Sequence, residues 1–203
     1  SSCSRGKFRG CGIRNPSYGK SPERFYAPVF VCFCEKNREN MKNIVLIGMP
    51  ACGKSSVGVI LAKTAAMSFI DTDLLIQERE GEKLQFLIDS RGMDEFLRIE
   101  ESVLAELKAD GAVISTGGSA VYSEKAMKNL SQNGVIVYLK LPLGEIERRL
   151  NNILTRGIAM KPGESLEDLY NYRVPFYERY ADITIDADGL TVEEVIAEIL
   201  KRV

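Results

Sequence analysis

Histidine and tryptophan are both absent from this 203-residue chain. Without histidine, no imidazole can act as general base, bind zinc or accept a phosphoryl group, and acid–base chemistry falls to Asp, Glu, Lys, Tyr or Cys. Long apolar runs are missing too. No stretch approaches the ~18 apolar residues of a membrane-spanning helix. The run Ala27–Cys34 is too short and too far from the terminus for a signal peptide. Cysteine is scarce after residue 40, where only Cys52 occurs; Cys3, Cys11, Cys32 and Cys34 precede it. Those four include no C-x-x-C pair and, with no histidine beside them, match no familiar zinc spacing. The rest of the chain reads as cytoplasmic, with one incidental thiol. An excess of either charge is also lacking. The 27 basic and 28 acidic residues leave a net charge of −1, which argues against a nucleic-acid or membrane partner.

What is present divides at residue 40. Residues 1–40 hold eight Lys/Arg against three acids, a net of +5, and show neither helical nor strand periodicity. They are rich in Ser, Gly, Arg and Asn, and disorder is the expectation. Met41 reads as the natural first residue, which makes residues 1–40 an upstream extension foreign to the protein. A transit peptide is the rival reading, because the stretch is basic, contains Ser and is poor in acids. From Met41 to Val203 hydrophobic residues recur densely enough to build one core, as the 45% overall content requires.

The body alternates strand and helix. Short apolar runs at Ile44–Ile47, Ser68–Asp71, Ala112–Ser115, Val135–Leu139 and Ile183–Ile185 suit buried parallel strands. Helical spacing covers Lys54–Ala65, then Asp73–Leu107 in pieces broken at Gly81 and Gly92, then Ser123–Gln132 and Gly144–Leu150. Ser165 with Asp168, and Thr191 with Glu194, cap two more helices. Pro175 should bend or break the first of them, and the second should run to Val203. Strands separated by helices predict an α/β domain with a five-stranded parallel sheet covered on both faces.

The strongest local signal is Gly48-Met49-Pro50-Ala51-Cys52-Gly53-Lys54-Ser55. It fits G-x-x-x-x-G-K-[ST] at every fixed position and lies between an apolar strand and a helix. The glycines let the backbone curl, so that N–H groups converge on a phosphate at the positive helix end. Lys54 brings charge to the β- and γ-phosphates of ATP, Ser55 can bind Mg²⁺, and Ser56 follows in the same turn. Asp71 and Asp73 end the second strand, where open parallel sheets bind ligands. Two residues apart in extended backbone, they point to one side. One could steer Mg²⁺ through water while the other contacts an acceptor hydroxyl; alternatively either merely caps the next helix.

The phosphate loop, the Asp71-Thr72-Asp73 pair, the turn Thr116-Gly117-Gly118 and the segment Arg173-Val174-Pro175-Phe176-Tyr177 occur in the order and rough spacing of shikimate kinases. The resemblance spans Met41–Val203. It implies a three-layer fold like that of P-loop nucleoside-monophosphate kinases, with strand order 2-3-1-4-5. It also implies ATP-dependent phosphorylation of shikimate to shikimate 3-phosphate by a monomer using ATP and Mg²⁺. By the resemblance Asp73 holds and helps activate the acceptor hydroxyl, Asp71 assists Mg²⁺ through water, and Gly117 and Gly118 line the acceptor pocket. Arg173 grips the carboxylate, a bidentate task suited to guanidinium; its rival role is a surface ion pair with Glu178 or Asp168. Residues 72–108 form the acceptor-binding region, and residues 151–164 form a lid with Arg156 at its centre closing over the phosphates. Arg149 flanks adenine, or is a plain helix-surface charge. The aromatic group Tyr170, Tyr172, Phe176, Tyr177 and Tyr180 reads as packing.

Three departures affect the acceptor side. The family pattern Phe-Arg-x-x-Glu here reads Phe96-Leu97-Arg98-Ile99-Glu100, so Leu97 takes the place of a carboxylate-binding arginine. Arg98 lies about 100° round the helix and is the substitute candidate. Ser119 replaces a third glycine, and Ile158 follows Arg156-Gly157 where the lid usually carries proline. A related kinase acting on another small hydroxylated compound is the alternative, and a nucleotide-binding module without an acceptor is a third.

Overall fold

The computed structural model describes residues 42–151 and 163–203. The expectations for residues 1–40, for Met41 and for most of the lid, Arg156 included, lie outside the described residues. Five strands form one parallel sheet: β1 Asn43–Ile47, β2 Ser68–Asp71, β3 Ala112–Ser115, β4 Gly134–Lys140 and β5 Ile183–Asp186. Their order is β2-β3-β1-β4-β5. The central strands β1 and β3 are buried at every position, so layers cover both faces of the sheet. This is the burial that continuous apolar runs, rather than alternating ones, specify.

Helices connect the strands. They are α1 Lys54–Thr64, α2 Thr72–Glu80, α3 Leu84–Arg91, α4 Met93–Glu106, α5 Glu124–Gln132, α6 Leu143–Asn151, α7 Leu166–Tyr180 and α8 Val192–Leu200. Gly81 caps α2 with left-handed backbone, and Gly92 separates α3 from α4, so both glycines break helices as expected. Capping boxes start α7 at Ser165 and α8 at Thr191. Two expectations are corrected. The break expected at Pro175 does not occur, since α7 continues through it to Tyr180. Asn171, whose carbonyl loses its partner, and Pro175 are both exposed, so this side of the helix is open to solvent. Helix α8 ends at Leu200, short of Val203.

The apolar residues fall into two clusters. The larger lies against the sheet and includes Val45, Leu46, Leu61, Val113, Val137 and Tyr177. A smaller one joins α2, α3 and α4 through Ile76, Leu87, Phe96 and Val103. Each such side chain contributes roughly 1.5–3 kcal/mol by leaving water, and together they pack the three short helices on one another. Among the described residues, no helix is long and apolar enough to cross a membrane.

Candidate active site

The loop from β1 to α1 curls because its backbone enters the left-handed region at Gly48 (φ 144°), Ala51 (φ 61°) and Gly53 (φ 98°). A Cβ on Gly48 would stand 2.7 Å from the Leu139 carbonyl oxygen, so the close approach to β4 also demands glycine. Helix α1 starts with no side-chain cap and no acid in its first turn, leaving its positive end free for an anion. Lys54 Nζ donates to the carbonyls of Gly48 and Met49, each at 2.9 Å, and so is held across the loop. Pro50, Ala51, Gly53, Lys54 and Ser55 line an open cleft, while the Met49 and Cys52 side chains are buried in the core. Ser56 is exposed in the first turn of α1.

Pairing of Asp71 with Ser115 across β2 and β3 brings three oxygen groups beside the loop. Ser55 Oγ donates to Asp71 Oδ2 at 2.9 Å and lies 3.4 Å from Ser115 Oγ. Hard oxygen donors of this kind fit Mg²⁺, which takes few protein ligands and completes its shell with water and phosphate oxygens. The geometry differs from two aspartates in extended backbone. Asp71 ends β2 and caps α2, accepting from the Asp73 N–H at 3.0 Å, while Asp73 lies inside the first turn of α2. Asp71 thus caps a helix and faces the phosphate loop at the same time.

Opposite the loop, the turn after β3 is fixed from several sides. Thr116 Oγ1 donates to the Leu46 carbonyl at 3.0 Å, and the Gly117 N–H donates to Thr72 Oγ1 at 3.1 Å. The Tyr177 hydroxyl donates to the Gly118 carbonyl at 2.7 Å, and burial raises its pKa, keeping it a donor. A Cβ on Gly117 would lie 2.9 Å from Asp73 Oδ1, and one on Gly118 would lie 2.8 Å from Arg173 Nη1. Glycine at both positions therefore lets a carboxylate and a guanidinium approach the turn.

Asp73, Gly117, Gly118, Ser119, Phe96 and Arg173 join the loop residues around the same cleft. Arg173 is 1% exposed, which removes the surface ion-pair reading; Glu178 pairs instead with Lys140. Arg149 reaches the phosphate loop, its Nη1 3.5 Å from the Ala51 carbonyl while Nε donates to Glu145, and borders a small groove beside Cys52 and Gly53. Arg98 does not line the cleft. Its side chain is 73% exposed and pairs with Glu95 at 2.6 Å, because one residue along α4 turns it to solvent.

Four residues around the cleft escaped sequence reasoning: Thr72, Glu100, Tyr122 and Tyr177. Glu100 is 2% exposed, and among the described residues its Oε1 lacks a hydrogen-bond partner. Burial pushes its carboxyl up to about 7; the Ser119 hydroxyl opposes the shift, nearby Asp73 adds to it, and Arg173 opposes it. The Phe96–Glu100 spacing was visible, but only the fold shows how completely this acid is buried.

Comparison with known proteins identifies the family. The family model described as shikimate kinase matches residues 50–203. A shikimate kinase from a Sulfurihydrogenibium species is 36% identical over 164 residues, covering 80% of this chain and 98% of the relative. The structure of shikimate kinase from Acinetobacter baumannii in complex with shikimate superposes with a TM-score of 0.71 at 30% identity, covering 82% of this chain and 94% of that one. Shikimate kinase from Aquifex aeolicus gives a TM-score of 0.65 at 30% identity, over 78% and 94% of the two chains.

Proposed function

Because the chain belongs to the shikimate kinase family, we propose that its cleft transfers the γ-phosphoryl group of ATP to a hydroxyl of shikimate through the residues that converge there. The carrying observation is the convergence itself: a phosphate loop, a carboxylate, a glycine turn and a buried arginine face one space.

ATP lies with its β- and γ-phosphates on the loop, against the uncapped end of α1 and Lys54. Shikimate lies on the turn at Gly117 and Gly118, its carboxylate toward Arg173 and the reacting hydroxyl toward Asp73. Asp73 accepts the proton as the hydroxyl oxygen bonds to the γ-phosphorus. The bond from that phosphorus to the β–γ bridging oxygen breaks in line, and ADP leaves. Ser55 and, through water, Asp71 would hold Mg²⁺, which supplies charge neutralisation on the phosphate oxygens. Arg149 borders the adenine end, and Arg156 in the lid meets the γ-phosphate. The Arg156 assignment is supported by the family resemblance and by its central place in the lid sequence.

A cytoplasmic setting is supported by cysteine usage, since the only cysteine after residue 40 is the buried free thiol of Cys52. In a coupled ADP-release assay, wild type should turn over with shikimate, and Asp73→Asn should lower kcat at least a hundredfold with ATP affinity nearly unchanged. Equal loss of ATP affinity would place Asp73 in the nucleotide site instead. Absence of shikimate-dependent ADP release by wild type would remove the acceptor assignment.

A further inference from the structure

Arg173 sits on α7 and is 1% exposed, and one group that directs it comes from a distant part of the chain. Nε donates to the Tyr122 hydroxyl at 2.7 Å, and the guanidinium carbon lies 5.2 Å from the Tyr122 ring centroid. A guanidinium is a rigid planar fork with five donors. Fixing Nε sets the plane of the whole group and thereby the direction of both Nη atoms. Nη1 then lies against Gly118, on the floor of the cleft.

Tyr122 is itself held in place. Phe176 meets its ring edge-on at 5.8 Å, and Tyr172 lies 5.7 Å away. Both come from α7, the helix that carries Arg173. Tyr122 belongs to the short 3₁₀ turn Ala120–Tyr122, which begins two residues after Gly118. One segment therefore carries both the glycine turn and the hydroxyl that aims the arginine. A shift of the turn would carry the fork with it.

Leu97 makes this bond matter more. With an apolar side chain where a second guanidinium is usual, the carboxylate depends on the aim of one fork. We infer that Tyr122 is a positioning residue, specific to carboxylate-bearing acceptors, that orients Arg173 through its Nε. The inference rests on the assignment of shikimate as acceptor and of Arg173 as its carboxylate partner.

The test is Tyr122→Phe, which keeps the ring and removes the oxygen. A hydrogen bond to a charged group carries enough energy for about a tenfold change. The KM for shikimate should rise about tenfold, with kcat within about twofold and the KM for ATP unchanged. The KM for the neutral carboxamide analogue of shikimate should not move. In an Arg173→Ala background, adding Tyr122→Phe should change nothing further. An unchanged KM for shikimate overturns the inference. So does an equal rise for the carboxamide, which is the signature of general structural damage, or a full tenfold effect that persists without Arg173. If wild type itself fails to phosphorylate shikimate, the functional reading has failed, not the role of Tyr122 in holding Arg173. That role is then read from the same Tyr122→Phe comparison on whichever carboxylate acceptor is turned over, with the same outcomes deciding it.

Discussion

Replacing Glu100 by glutamine should stabilise the protein at alkaline pH and change little at pH 5. Glu100 is 2% exposed, and burial raises its carboxyl from the ordinary 4.5 to about 7. Below pH 4.5 the group is protonated in both folded and unfolded chains and has no net effect. Between 4.5 and 7 the unfolded chain ionises first, so stability falls as pH rises. Above 7 the loss is complete. A shift of that size, at about 1.4 kcal/mol per unit, amounts to about 3 kcal/mol. For a domain of this length that corresponds to roughly 6–12 °C in Tm. Glutamine cannot ionise, so Glu100→Gln should hold its Tm across the window while wild type declines. The measurement is thermal unfolding of both proteins from pH 5 to 8.5. Interference is small, because the chain has no histidine to titrate there. The carboxylates held low by hydrogen bonds, Glu145, Asp168, Glu194 and Glu198, lose their contribution only as pH falls, below this window. Parallel Tm profiles for the two proteins would refute the reasoning and place Glu100 at an ordinary pKa.

Lys54→Met should lower kcat by at least a hundredfold while far-ultraviolet circular dichroism keeps its helical signal, because it removes charge at the phosphates and not core volume. Near-normal turnover would remove Lys54 from the phosphate site. Leu97→Arg should lower the KM for shikimate roughly ten- to a hundredfold by restoring a second guanidinium. It should also pull the Glu100 carboxyl back below 7, so that the alkaline decline in Tm shrinks with it. A raised KM with unchanged Tm would show that Leu97 shapes a pocket for a different acceptor.

The nucleotide half of the site was legible in the sequence and the acceptor half only in part, for a reason of range. The phosphate loop is eight consecutive residues whose spacing carries its own geometry. Strands β2 and β3 have the bounds that their apolar runs suggested, since a buried strand advertises itself locally. The bonds that shape the acceptor wall span far more chain. Tyr122 meets Arg173 across 51 residues, Tyr177 meets Gly118 across 59, and Thr72 meets Gly117 across 45. No window of sequence contains both partners. Tyr177 read as packing for the same reason: its stacked ring on Tyr138 does serve the core, while its hydroxyl serves the turn. Helix α7 survives Pro175 because the ring lies on the exposed side, and sidedness is a property of the packed helix rather than of proline.

The two apolar clusters bear on how such an enzyme can change over generations. Ile76, Leu87, Phe96 and Val103 knit α2, α3 and α4 into a unit of their own, and only α4 also reaches the cluster against the sheet, through Leu104. Substitutions at the α3 and α4 positions of this unit leave the packing of β1 and α1 against the sheet untouched, whereas α2 is tied to the chemistry through Asp71 and Asp73. Leu97, half-buried at the margin of the smaller cluster, is a position of that kind. The acceptor wall at α4 and the phosphate loop thus rest on different packing, and a change at Leu97 can alter the acceptor side while β1 and α1 stay in place.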